Sequence, residues 1–284
     1  MDFLLSFLNS LPGAVGQGLI WGVMAIGVYI TYRILDVADL TVDGSLATGG
    51  AVCALLVTLG LNPWLALLAA VLSGMAAGLV TGLLHTVCGI PAILSGILTQ
   101  LALYSINLRV MAFGDLNAKT KNMLAVSVDK HDLLVSSRNI RKLALDNPTL
   151  LLLALVAAVI AVLYWFFGTE QGSALRATGS NSAMARAQGI STNWCKVLGL
   201  VVSNALVALA GALLAQYQGS ATVDMGRGAI VIGLAAVIIG EVLLGGVFIN
   251  FALKLLACAI GAVIYYAVIT LVLRLGLETT DLKL

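Results

Sequence analysis

The chain has 284 residues, of which 61% are hydrophobic and only 10% charged, with a formal net charge of +2. A soluble domain carries about 25% charged residues, so a soluble fold is excluded. The apolar runs are long and unbroken rather than alternating with period two, which excludes a β-barrel and predicts an all-α, polytopic membrane bundle of about 7–9 spans. No basic stripe interleaved with aromatics is present, which argues against nucleic-acid binding.

The opening "MDFLLSFLNSLPG" lacks a basic region, so its apolar run is expected to be retained rather than cleaved. A helix needs about 20 apolar residues to cross hydrocarbon. The first predicted span is Ala14 to Leu35, entered through the Leu11–Pro12–Gly13 turn. A polar linker, "DVADLTVDGS", leads to a second span from Gly44 to Leu61. It reads either as a partly unwound helix or as an interfacial loop with its cap at Asp43, because Thr41, Asp43 and Ser45 are capping types. The third span is Pro63 to Cys88 and the fourth Ile90 to Met111. A polar loop, 112–147, follows, with a possible short surface helix from Arg138 to Leu145.

The fifth span is Pro148 to Phe167. A small, polar, basic stretch then interrupts the oil from Gly168 to Ser191, and the sixth span is Trp194 to Tyr217. The run from Gly228 to Phe251 is punctuated by Gly240, Glu241, Gly245 and Gly246, and predicts two short helices or a re-entrant hairpin. Ala252 to Leu275 completes the bundle. Residues 1–284 thus read as one transmembrane domain without an evident internal repeat.

Gly74, Gly78 and Gly82 share one helix face, as do Gly18 and Gly22, which predicts close helix–helix approach. Gln17, Gln100, Asn107, Asn204 and Gln216 are expected to make interhelical hydrogen bonds. Glu241 lies among apolar residues, either as a pathway group or as a carboxylate bonded to free N–H groups or to a cation such as Lys254. His85 fits an interfacial position. Cys53, Cys88, Cys195 and Cys258 are far apart, with no metal-ligand spacing.

"GSALRATGSNSAMARAQGIS" resembles the cytoplasmic coupling segment of bacterial ABC importer permeases of the branched-chain amino acid and ribose type. "YRILDVADLTVDGSLATGGAV" resembles the segment after their first span. "AVIIGEVLLGG" resembles their late Gly-rich break, although Glu241 stands where many relatives have a second Gly. The closest likeness is to the less characterised tryptophan/tyrosine-type branch.

The resemblance implies a homodimeric permease in the bacterial inner membrane, served by two ATPase subunits and an extracytoplasmic substrate-binding protein. Residues 168–193 would be the cytoplasmic segment that seats in the ATPase, with Ser173, Arg176, Asn181, Ala185, Arg186 and Gly189 as coupling residues. Asn181 and Ser182 suit a helix start and Gly189 a helix end. Asp43, Ser45, Thr48 and Glu241 are the expected pathway residues.

The loop 112–147 would then be external, as would the N-terminus. That loop carries six basic residues, Lys119, Lys121, Lys130, Arg138, Arg141 and Lys142, against three between Gly168 and Lys196. The positive-inside rule prefers the reverse, and here the resemblance is given more weight. A basic outer loop suits docking of an acidic binding protein, with Lys119, Lys121, Arg138 and Arg141 as its contacts.

No Walker-type Gly-rich loop with a following Lys is present, so ATP would be bound only by the partner, and neither cofactor nor metal is expected here. The chain is read as a permease for a small solute, an amino acid or related compound, and not as an enzyme. The alternative is an ion-coupled secondary transporter or channel using Glu241. With only two histidines, His85 and His131, and no H-E-x-x-H motif, a membrane-embedded enzyme lacks a catalytic cluster.

Overall fold

The computed structural model describes residues 2–113, 119–126, 133–135, 148–246 and 250–274. Helix α1 (Asp2–Tyr29) runs on into a π turn, Ile30–Ile34. Then come α2 (Thr41–Thr58), α3 (Pro63–Thr86), α4 (Ala92–Met111), strand β1 (Met123–Ala125) and α5 (Pro148–Gly168). Two short helices, α6 (Glu170–Ser180) and α7 (Ser182–Ala187), precede α8 (Thr192–Gln218). Strand β2 (Ser220–Thr222), a 3-10 turn (Val223–Gly226), α9 (Ala229–Leu244) and α10 (Phe251–Arg274) follow. Among the described residues, eight helical segments are long and apolar enough to cross a membrane.

The eight segments agree with the expected spans, with two corrections. Leu11–Pro12–Gly13 is not a turn, because α1 passes through Pro12. Gly240 and Glu241 do not break a helix either; α9 is continuous across them. Gly240 instead lies on the Ala257 carbonyl of α10, so its missing Cβ serves packing. Gly245 and Gly246 do form a turn after α9, and further irregular backbone lies earlier, in residues 223–228. The expected surface helix from Arg138 to Leu145 lies outside the described residues.

The glycine faces set the helix spacing. Gly74, Gly78 and Gly82 of α3 lie on Asn204, Leu200 and Val197 of α8, so the two helices run antiparallel with backbones in contact. Gly18 and Gly22 of α1 meet Val263 and Ala259 of α10 in the same way. Close approach of this kind supplies the dispersion contacts that hold helices together in lipid, where apolar burial gives no net drive. α1 and α8 cross at the centre, where Ser203 Oγ donates to the Gly27 carbonyl at 2.8 Å.

Two structural units emerge that the sequence does not display. In the first, α1 leads into a turn, α2 starts inside the bundle, and α3 returns. In the second, α8 leads into a turn, α9 starts inside the bundle, and α10 returns. The units run in opposite directions: α2 is parallel to α8, as the pairs Ser45–Asn204 and Cys53–Gln216 show. α9 is parallel to α1, with Gly233 on Met24 and Val28, and Glu241 beside Arg33.

The bundle has two distinct ends. At one, α6 and α7 form a helical hairpin between α5 and α8. At the other, β1 and β2 pair antiparallel, with Met123 opposite Thr222 and Ala125 opposite Ser220.

A leucine at position 74 would collide with the backbone of α8, which cannot move aside. Gly74→Leu is expected to cost about 3 kcal/mol and to lower the Tm of the detergent-solubilised protein. Gly168→Ala, where nothing stands within 4 Å of an added Cβ, is expected to leave Tm unchanged.

Candidate functional site at the junction of two internal helix starts

The first turn begins where α1 loosens into its π turn. Leu35 N donates to Ile30 O and Val37 N to Thr31 O, both at 3.0 Å. Asp36 then adopts φ 53°, a left-handed conformation that Asp tolerates better than most residues. The chain turns back into the bundle. Asp39 is buried; its Oδ1 accepts from Thr41 N at 2.9 Å and its Oδ2 from Asn204 Nδ2 at 2.7 Å. Asn204 Oδ1 in turn accepts from Ser45 Oγ at 2.6 Å. Asp39 therefore serves the start of α2, and the interfacial loop capped by Asp43 does not form. Thr41, Thr81 and Thr99 continue the network across α2, α3 and α4, with hydroxyl distances of 2.8 and 2.9 Å.

Asp43 has another task. Its carboxylate reaches the start of α9, accepting from Gly228 N at 3.1 Å and Ile230 N at 3.0 Å. The first N–H groups of a helix have no partner within the helix, and here a side chain from a different helix supplies one. Gly226 lies against the Asp43 carbonyl, and Gly228 takes φ 76°, which lets the turn close on α2. The negative carboxylate also suits the positive end of the α9 dipole.

Beside this junction a cleft of about 360 Å3 opens between α2, α4 and the turn before α9. Asp43, Gln100, Tyr104, Asn107 and Arg227 supply its polar wall.

The structure separates the four expected pathway residues. Asp43 lines the cleft. Ser45 and Thr48 are buried; Ser45 is bonded to Asn204, and Thr48 Oγ1 donates to the Gly44 carbonyl at 2.9 Å. Glu241 lies eleven residues beyond Ile230, about 16 Å along α9 at 1.5 Å per residue. Its ion-pair partner is Arg33 at 3.1 Å, not Lys254, and the Arg33 and Glu241 side chains are 62% and 35% exposed. Asp39 and Arg227 were not singled out from sequence. The glycines flanking Arg227 in "MGRG" were the available signal, since paired glycines mark a forced backbone approach.

Of the expected interhelical hydrogen bonds, Asn204 makes several, and Gln216 links to Cys53 Sγ and Leu134 N. Asn107 makes none. His85 Nδ1 lies 2.8 Å from the Ile90 carbonyl at a span end, as expected.

At the hairpin end, Thr169 caps α6 by accepting from Gly172 N. Asn181 ends α6 and starts α7, accepting from Ala183 N and Met184 N at 3.1 and 3.0 Å. Gly189 closes the hairpin with φ 81°. The arginines turn back on the chain: Arg176 Nη2 donates to Phe167 O at 2.7 Å and lies over the Phe251 ring, and Arg186 Nε donates to Thr192 Oγ1 at 2.7 Å. Ala185 is buried. Ser173, Asn181 and Gly189 are exposed, as are Met184 at 62% and Trp194 at 56%. Gly179 rests on the Ile34 carbonyl, so the hairpin touches the π turn that leads to Asp39. At the ribbon end Lys119 is exposed and Lys121 N donates to Leu108 O at 3.1 Å; Arg138 and Arg141 lie outside the described residues.

A family model described as branched-chain amino acid transport system / permease component matches residues 11–282. The chain belongs to this permease family. It is similar to the tyrosine transport system permease protein of Clostridioides difficile (strain R20291), with 39% identity over 277 residues, 98% of this chain and 88% of that protein. An uncharacterised protein of Rickettsia prowazekii (strain Madrid E) is 33% identical over 279 residues, 98% of this chain and 94% of that one. The ribose import permease of Escherichia coli (strain K12) is more distant, at 27% identity over 240 residues, 84% of this chain and 71% of that protein. This permease is thus a multi-pass inner-membrane component of a small-solute transport system, and the tyrosine and ribose relatives are transport components rather than enzymes.

Removing the Asp43 carboxylate leaves two α9 N–H groups without their acceptor. Asp43→Ala is expected to destabilise the permease by about 1–2 kcal/mol, the scale of a lost helix cap. Asp43→Asn keeps an acceptor oxygen and should lose less, with both effects read as shifts in Tm.

Proposed function

We propose that this permease is the solute-conducting subunit of an ABC importer for an amino acid or a closely related compound. Two copies form the pathway, two ATPase subunits seat on the α6–α7 hairpins, and a binding protein delivers the solute at the ribbon end. On this reading the hairpin end is cytoplasmic and the loop 112–147, with Lys119, Lys121, Arg138 and Arg141, faces the binding protein. The solute class rests on the tyrosine permease relative.

The observation that carries the reading is the hairpin itself. It is capped at both joints and carries Ser173, Asn181, Ala183 and Met184 at exposed positions. Small residues with one long apolar side chain suit insertion into a groove of a partner. Arg176 and Arg186 are exposed and also bond back to the chain. They fasten the hairpin to the ends of α5 and α8, so a push on it is passed to the bundle rather than absorbed. Through Gly179 that push falls on the π turn and the Asp39 network. A bistable bundle can convert so small a motion into a change of access.

The ion-coupled alternative draws no support from Glu241, which is paired with Arg33 away from the cleft.

Co-expression with the ATPase subunit provides the test. Met184→Asp is expected to abolish co-purification of the ATPase while leaving the permease folded, because Met184 is exposed. Arg176→Glu should preserve the face but loosen its anchor, so that ATPase binding survives and ATP-driven uptake falls at least tenfold. In proteoliposomes, Glu241→Gln should leave ATP-driven uptake within about twofold, since exposed ion pairs contribute about 0–1 kcal/mol. Uptake by the permease alone under a proton or sodium gradient, lost in Glu241→Gln, would establish the rival instead.

A further inference from the structure

Asn107 is 1% exposed, and neither its Oδ1 nor its Nδ2 has a hydrogen-bond partner among the described residues. Leaving a buried amide without partners is destabilising, a penalty that helix packing alone does not require. Leucine would fill a comparable space in α4 without it. The same residue forms part of the wall of the 360 Å3 cleft.

The rest of that wall is chemically matched. Asp43 faces the backbone N–H groups of Gly228, Ala229 and Ile230, which leaves part of its capacity of roughly four acceptor sites unused. That remainder can receive an ammonium group. Arg227, next in chain to Gly228, offers guanidinium donors; its Nε is held by Asp224 at 2.9 Å, on a pair that is well exposed. Gln100 adds an amide, while Leu101 and Tyr104 supply apolar and aromatic surface. Anion, cation, an amide with unused donor and acceptor, and an aromatic wall thus surround a volume within the range of small-ligand sites.

We infer that the cleft is a solute-binding site of the permease itself, built for a zwitterionic α-amino acid, with Asp43 receiving the ammonium group, Arg227 the carboxylate, and Asn107 completing its hydrogen bonds only when the solute is bound. This inference rests on the importer reading above and adds to it: the permease would select its solute as well as conduct it. A bare hydrocarbon or a neutral sugar leaves the two charges unmatched, and discrimination by unsatisfied polar groups is strong.

The test uses full-length permease in lipid nanodiscs, without binding protein or ATPase, and radiolabelled L-tyrosine as the probe. Saturable binding is expected, weakened at least tenfold by Asn107→Leu, with the Tm of the unliganded variant equal to or above that of the parent. Arg227→Gln, at an exposed position, should weaken L-tyrosine binding at least fivefold and leave binding of tyramine, which lacks the carboxylate, unchanged. Phenylpropionate, which lacks the amine, should bind more weakly than L-tyrosine.

Unchanged L-tyrosine binding in Asn107→Leu would overturn the inference, as would equal losses of tyrosine and tyramine affinity in Arg227→Gln. D-ribose binding with the same dependence on Asn107 in place of tyrosine would also overturn it. Absence of saturable amino-acid binding, in a preparation that still imports the amino acid when reconstituted with its ATPase and binding protein, overturns the site but leaves the importer reading standing. Failure of that reconstituted import overturns the importer reading.

Discussion

Bare backbone N–H and C=O groups at hydrocarbon depth are the constraint on which this permease is built. Irregular backbone is tolerated there only if protein buries it and supplies partners. Two helices, α2 and α9, start inside the bundle, and their starts are served by two aspartates. Asp39 provides for α2 together with Asn204, and Asp43 reaches across to α9. The two starts are therefore tied to each other, and neither unit can shift without the other's hydrogen bonds being affected.

That tie also explains the location of the cleft. A helix begun inside a bundle leaves the space on its other side unfilled, and the cleft occupies that space beside α2 and α4. The polar groups gathered there are the residues that irregular backbone brings into a membrane bundle. The hairpin meets the same network from the opposite end, through Gly179 on the π turn and through Leu175, which shares the surface of Gly199 with Leu35. A continuous run of backbone-close contacts thus joins the exposed hairpin to the junction. Close-packed interfaces of this kind tend to have discrete arrangements rather than to deform smoothly.

The opposed units account for an absence in the sequence. Two equivalent contacts join them, α3 against α8 and α1 against α10, but the glycines lie on α3 in one contact and on α1 in the other. Those helices are not equivalent between the units: α3 corresponds to α10 and α1 to α8. Close approach requires a small residue on only one partner, so the same packing arises without a matching pattern. The Gly-rich run around Gly240 misleads for a related reason. A glycine in a membrane helix marks either a break or a close neighbour, and periodicity does not distinguish them.

Much was legible in the chain alone. Hydrophobic run length set the number of spans, because hydrocarbon thickness imposes it. Glycine spacing set which faces pack, and the caps Asn181 and Gly189 set the hairpin, because these are local chemistry. The direction in which a buried side chain is satisfied was not legible. Asp43 and Asp39 look alike in "DVADLTVDGS", yet one caps its own helix and the other a helix nearly two hundred residues away. The internal bonds of Arg176 and Arg186, which fasten the hairpin to the ends of α5 and α8, were not legible either, and Asn107 reads as one more interhelical amide but has no hydrogen-bond partner among the described residues. Local sequence determines which hydrogen bonds a residue can make, whereas only the packing of distant segments decides which partners arrive.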